Sequence, residues 1–296
     1  MTKPGAFLLK RLKLIKLAFI SLVGASLLFS CKSTPDMAQV DPIELLDGDA
    51  ALYITIPVQA NQEFVSLAVQ KISAVTESDA KKITERLDTA FVSVSHFGDV
   101  QLSASGKIPQ TFIGMAFNEK KGWFPEIILQ QTIYTHMQTK YQLCLPSSSN
   151  AFLSRNIRPM VSRFNKIAYS EVENQEKLLS ESLDDRACSF LHEVKSSDIL
   201  IFAPSPKNFI KTFIGADVNT PVSSVYARLS QYRGVKDQFN VFLVLNLSDP
   251  RTTKACTALL KTLLFGVPAK IQQTGAQQIT IADLPLSQNR ILSMFW

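Results

Sequence analysis

Residues 51–73 read ALYITIPVQANQEFVSLAVQKIS. The first eight, Ala51–Val58, are short, apolar and rich in β-branched and aromatic side chains, the composition of a buried strand. After a polar loop, Phe64, Leu67, Ala68 and Ile72 recur at the spacing that puts them on one face of a helix over 61–73. Residues 240–265 repeat that order. Asn240–Leu247 (NVFLVLNL) reads as a strand, Asp249-Pro250 as an N-cap followed by a first-turn proline, and Cys256, Leu259, Leu260, Leu263 and Leu264 as one face of a helix over 250–265.

Working outward, further strands are expected at Thr89–Ser95, Val100–Ser105, Tyr141–Leu145, Ile199–Ala203 and Gln278–Ala282. His96-Phe97-Gly98-Asp99 reads as a hairpin turn between the first two of these. Ile157, Met160, Val161 and Phe164 mark a helix over 156–167, and two more helices are expected at 206–214 and 222–232. Segment 170–186 (SEVENQEKLLSESLDDR) reads as a charged helix or loop. The mixed order predicts an α+β protein, mainly antiparallel sheet with helices packed on one face. The finer expectation is two related strand–helix halves, about 43–150 and 195–296, joined by a helical or charged connection.

The N-terminus is built differently. Residues 1–16 carry Lys3, Lys10, Arg11, Lys13 and Lys16 and no acid, and residues 17–29 (LAFISLVGASLLF) carry no charge. A positive start and a short apolar run describe a secretory signal. The run is too short for a membrane span, since ~30 Å of hydrocarbon needs about 20 residues. It ends in Leu28-Phe29-Ser30-Cys31, which resembles the lipobox of bacterial lipoproteins. That resemblance implies cleavage before Cys31 and a thioether-linked diacylglycerol on it, with its freed amine acylated as well. Phe29 stands where the usual pattern has a smaller residue, a looseness familiar in spirochaetes. The expected organisation is therefore signal peptide 1–30, lipidated N-terminus and tether 31–42, and body 43–296.

The body resembles uncharacterised spirochaetal lipoproteins in DGDAALYITIP (Asp47–Pro57) and in the stretch from Gly106 (GKIP) to Trp123 (GW). This resemblance implies no activity.

Cleavage would also change the charge. The whole chain has 31 basic and 25 acidic residues, a net +6. Removing the five basic residues before Cys31 leaves 26 basic and 25 acidic, a net +1. A near-neutral body lacks the concentrated basic footprint that nucleic-acid binding needs, so no nucleic acid is expected as partner. The expected partners are the membrane, through lipid on Cys31, and an envelope protein or a lipid ligand. The expected location is outside the cytoplasm, on the periplasmic side or the cell surface.

Cys144, Cys188 and Cys256 form no CxxC pair, and each lies beside apolar residues, so burial as small apolar side chains is expected. One disulfide among the three stays open. His96, His136 and His192 show no metal-ligand spacing, and each reads as a solvated surface residue. There is no GxSxG or SxxK nucleophile motif and no GxGxxG or GxxxxGK[ST] phosphate loop. Ser147-Ser148-Ser149 reads as a loop. Asp88, Asp184 and Asp185 are common surface acids, and SESLDD lacks the calcium-loop pattern. Phe112, Phe117, Trp123 and Phe124, with Lys120-Lys121 among them, read as core, with a lipid- or partner-binding rim as the alternative. Met294-Phe295-Trp296 reads as an apolar end docked on the core. No catalytic residue, metal or cofactor is therefore expected. The functional reading is a lipid-anchored envelope lipoprotein acting as a non-enzymatic binding or assembly module. An envelope-directed hydrolase and a surface adhesin are the alternatives, and an open apolar groove between sheet and helices would point to lipid or peptide binding.

Overall fold

The computed structural model describes residues 39–73, 75–170, 176–193, 197–214, 221–232, 235 and 237–293. Signal, Cys31, most of the tether and the terminal Met294-Phe295-Trp296 lie outside the described residues.

The chain opens with a 3-10 turn, Pro42–Leu45, capped by Asp41. Strand β1 (Leu52–Pro57) leads to helices α1 (Gln62–Ser73) and α2 (Glu77–Thr84), then to the hairpin β2 (Leu87–Val94) and β3 (Val100–Gly106). Gly98 turns that hairpin at φ 86°, where a side chain would be strained. Helix α3 (Gln110–Ala116) precedes β4 (Trp123–Ile128), β5 (Gln131–His136), β6 (Gln142–Cys144) and β7 (Asn150–Ser154). Then come α4 (Arg158–Tyr169), α5 (Asp185–Leu191), β8 (Ile199–Ala203), α6 (Lys207–Ile214), β9 (Val222–Gln231) and β10 (Gln238–Leu247). The last elements are α7 (Thr253–Leu263), β11 (Lys270–Gly275), β12 (Gln278–Ser287) and α8 (Gln288–Leu292). Asp249 caps the 3-10 turn before α7 by accepting from the amide of Arg251 at 2.9 Å.

The strands form one open 12-stranded sheet in the order β11-β12-β10-β9-β8-β1-β2-β3-β7-β6-β5-β4, with each neighbouring pair antiparallel. The expected α+β class and antiparallel pairing are what the chain adopts.

Helices cover both faces of the sheet, where one face was expected. On the first face Leu52, Ile54 and Ile56 of β1 pack with Phe64 and Val65 of α1, Phe209 of α6 and Leu260 of α7. On the second face Tyr53 joins Phe91, Phe152 and Phe202 against Met160 and Phe164 of α4, Leu191 of α5, and Ile43 and Leu45 of the opening turn. The physical reason is visible in the central strands. All five residues of β7 and of β8 are buried, so both of their sides need cover.

Two other expectations are corrected. Residues 222–231 are strand β9, not part of a helix: the segment is paired along its length to β10, and over 225–229 to β8. The strand–helix unit 51–73 does not match 240–265 in topology. The strand across the sheet centre from β1 is β8, followed by α6, and β10 lies two places farther out.

Candidate functional site

On the first face, Ala90 of β2 pairs with Ala104 of β3, and Ala104 pairs with Ala151 of β7. Three of the smallest side chains thus stand in a row across three adjacent strands, with Ala104 fully buried. Such a row lowers the sheet surface into a trough. Val65, Val69 and Ile72 of α1 and Ile83 of α2 roof it, and Phe117 and Leu143 close its flanks. The larger Leu102 and Leu153, on the same face of β3 and β7, also line it. The enclosed space is about 70 Å³. Among the described residues of its lining Arg86 is the one that is charged, and its guanidinium donates to the carbonyl of Lys82. A space with such walls offers dispersion and water exclusion to an apolar chain and almost nothing to a polar ligand.

The residues singled out from sequence fall elsewhere. Cys144 and Cys256 are buried and Cys188 half-buried, and all three are free thiols. Burial pushes the Cys144 thiol well up. Burial and the acids Glu44, Asp184 and Asp185 push up that of Cys188, so neither is held as a thiolate nucleophile. Ser147 is a loop hydroxyl that accepts from the amides of Ser149 and Asn150. Asp184 caps α5 by accepting from Ala187 at 2.7 Å, and Asp88 is exposed. Among the described residues no group of three or more His, Cys, Asp or Glu is placed to hold a metal ion.

The histidines differ among themselves. His96 is exposed in its turn as expected. His136 corrects the surface reading: it is 5% exposed, lies 5.0 Å from the ring of Trp123, and shares a hydrogen bond with Thr139 at 2.9 Å. His192 is exposed but partnered, its ring bridging Asp41 and the carbonyl of Cys188. Of the aromatic group, Phe117 and Trp123 are core and stack edge-to-face at 5.0 Å, and Phe124 is exposed on β4.

A family model, "Outer membrane-associated lipoprotein TP0453", matches residues 37–292. The chain belongs to this family. The spirochaetal lipoprotein resemblance read in the sequence is thereby met, and association with the outer membrane as a lipoprotein comes with the family. Solved structures agree on the fold. Crystal form I of TP0453 superposes with a TM-score of 0.68 at 20% identity, covering 87% of this chain and 97% of that one. Crystal form III gives 0.65 at 19% identity, covering 86% and 98%. A comparison with curated proteins finds no match. Among the described residues no helix is long and apolar enough to cross a membrane.

Proposed function

We propose that this member of the TP0453 family is a lipid-anchored envelope protein whose body shelters an acyl chain in the trough over Ala90, Ala104 and Ala151. Residues 1–30 act as the export signal, Cys31 carries the lipid, and the tether that follows, to residue 42, lets the body reach the membrane surface. Two or three acyl chains on Cys31 would hold the protein firmly. The observation that carries the binding reading is the apolar lining of the cavity beneath α1 and α2, whose enclosed volume of about 70 Å³ would have to widen as the helices lift over an entering chain. Its wall chemistry supports a lipid tail over a peptide, whose backbone amides would find no partners there.

The test uses the full lipidated chain and a fluorescent polyene fatty acid. Ala104→Phe fills the trough from its floor. The wild type is expected to bind the fatty acid, and the variant to lose at least about tenfold in affinity, or 1.4 kcal/mol, with an unchanged circular dichroism spectrum. Equal binding by both forms, or no binding by the wild type, removes the reading.

A further inference from the structure

The ring of His192 is held by two acceptors. Nδ1 lies 2.7 Å from the carbonyl oxygen of Cys188, and Nε2 lies 2.9 Å from Oδ2 of Asp41. A carbonyl and a carboxylate can only accept, so both ring nitrogens must donate, and the bridged ring is the imidazolium. The two partners belong to different parts of the fold. Cys188 lies one turn earlier on α5, whose end is fixed to the sheet by Thr55 Oγ1 donating to the carbonyl of Leu191 at 2.8 Å. Asp41 is the cap of the opening turn Pro42–Leu45.

We propose that His192 is a proton-operated clasp that fastens the start of the body, at Asp41, to the end of α5. Loss of one proton to solvent leaves a lone pair on one ring nitrogen. The contact to Cys188 is local, whereas that to Asp41 spans 151 residues. The neutral ring can donate to only one of the two acceptors, so the pair with Asp41 is either broken or loses its charge assistance. The charged surroundings favour the closed form. Glu44 of the opening turn lies near the ring and is itself held by Ser180, whose amide and hydroxyl both donate to Glu44 Oε2. Glu193, the next residue, is engaged by Arg228 of β9, and Arg186 of α5 lies over the ring of Tyr226. The half-buried Cys188 thiol stays neutral. Burial opposes the charge on His192, but Cys188 and Asp41 outweigh it and hold its pKa above the ordinary value of 6.5. The clasp is thus closed below that value and opens as pH rises through the higher one. Opening would lengthen the tether by freeing its root. That consequence rests on the lipid at Cys31, while the clasp does not.

The test is an NMR titration of the histidine rings in the full chain, from about pH 5 to 8, with amide exchange of residues 41–46 followed in parallel. His192 is expected to titrate above the ordinary value of 6.5, and exchange of 41–46, corrected for its intrinsic pH dependence, to accelerate over the same range. Asp41→Asn keeps a good cap and removes the carboxylate. It should lower the His192 midpoint and abolish the pH dependence of exchange. His192 titrating at or below 6.5, or exchange that ignores pH in the wild type, overturns the clasp. So does an unchanged pH dependence in Asp41→Asn. None of these readouts depends on fatty-acid binding.

Discussion

Ile54 of β1 and Ile201 of β8 are cross-strand partners, and both are fully buried on the first face of the sheet. Their strands meet over three residue pairs, Tyr53–Phe202, Ile54–Ile201 and Thr55–Leu200. In the strand order this is the pairing that joins β9–β12 to β2–β7. Ile201→Ala leaves a void at the seam and is expected to cost about 2–5 kcal/mol. Urea unfolding should show a lower midpoint with an unchanged slope and a single transition, because damage at a shared seam weakens both sides together. Two separated transitions would mean that the two sides unfold independently.

The strands legible in the sequence include the continuously buried β1 and β8 and the alternating β10 and β12, all rich in β-branched or aromatic residues. In β9, Val222, Val225, Tyr226 and Leu229 recur at i, i+3, i+4 and i+7, a spacing that would also fit the helix expected there. Pairing to β8 and β10 overrides that local pattern. Tyr226 turns to the second face while Val225, Ala227 and Leu229 face the first. Strand β7, NAFLS, carries no β-branched residue to mark it. The alanine trough was illegible for a deeper reason. Ala90, Ala104 and Ala151 carry no signal singly, and only the register of β2, β3 and β7 brings them into a row. The charge-bearing bridge from His192 to Asp41 likewise spans 151 residues, a distance over which no periodicity operates.

Arg163 is 4% exposed on α4 and fastens the opening turn. Its guanidinium donates to the carbonyl of Leu45 at 2.7 Å and of Lys177 at 3.0 Å, and it pairs with Asp47. Gln101 of β3 donates to the same carboxylate and accepts from the Asp47 amide at 2.9 Å. Arg163→Met keeps the apolar stem but strands these acceptors, so a loss of about 3 kcal/mol or more is expected. Arg163→Lys should recover less than half of that, because an ammonium cannot serve three separated acceptors as the planar fork does. Thermal unfolding of the three proteins side by side checks the order wild type, Lys, Met.

Asp79 in the first turn of α2 pairs with Lys121 at 2.6 Å, tying that helix to the turn before β4. Burial works against its charge, but the hydrogen bonds from Lys121 and Thr76 and the neighbouring lysines win, and its pKa lies below the ordinary carboxylate value. A lowered folded-state value means that the contribution is present above the unfolded value of about 3.9 and is lost as pH falls through the lower one. Asp79→Asn is expected to cost about 1 kcal/mol at neutral pH. Urea midpoints of variant and wild type should converge as pH drops below about 4. A gap that persists undiminished at acid pH would mean that the carboxylate's charge contributes nothing.

Cys31 is the point on which the membrane reading turns. Of the five basic residues that give the chain most of its net +6, every one precedes it, so processing there would leave a nearly neutral body. Such a body has little electrostatic hold on an anionic membrane surface, at about 1 kcal/mol per basic residue near it, and must rely on its acyl chains. Cys31→Ala is therefore expected to abolish metabolic labelling with a fatty-acid analogue and to move the protein from the membrane fraction to the soluble fraction. High salt should release neither form further, since the hold is hydrophobic and unscreened. Equal labelling of the two proteins would exclude Cys31 as the attachment site. Release of the wild type by salt would show that charge, and not lipid, binds it.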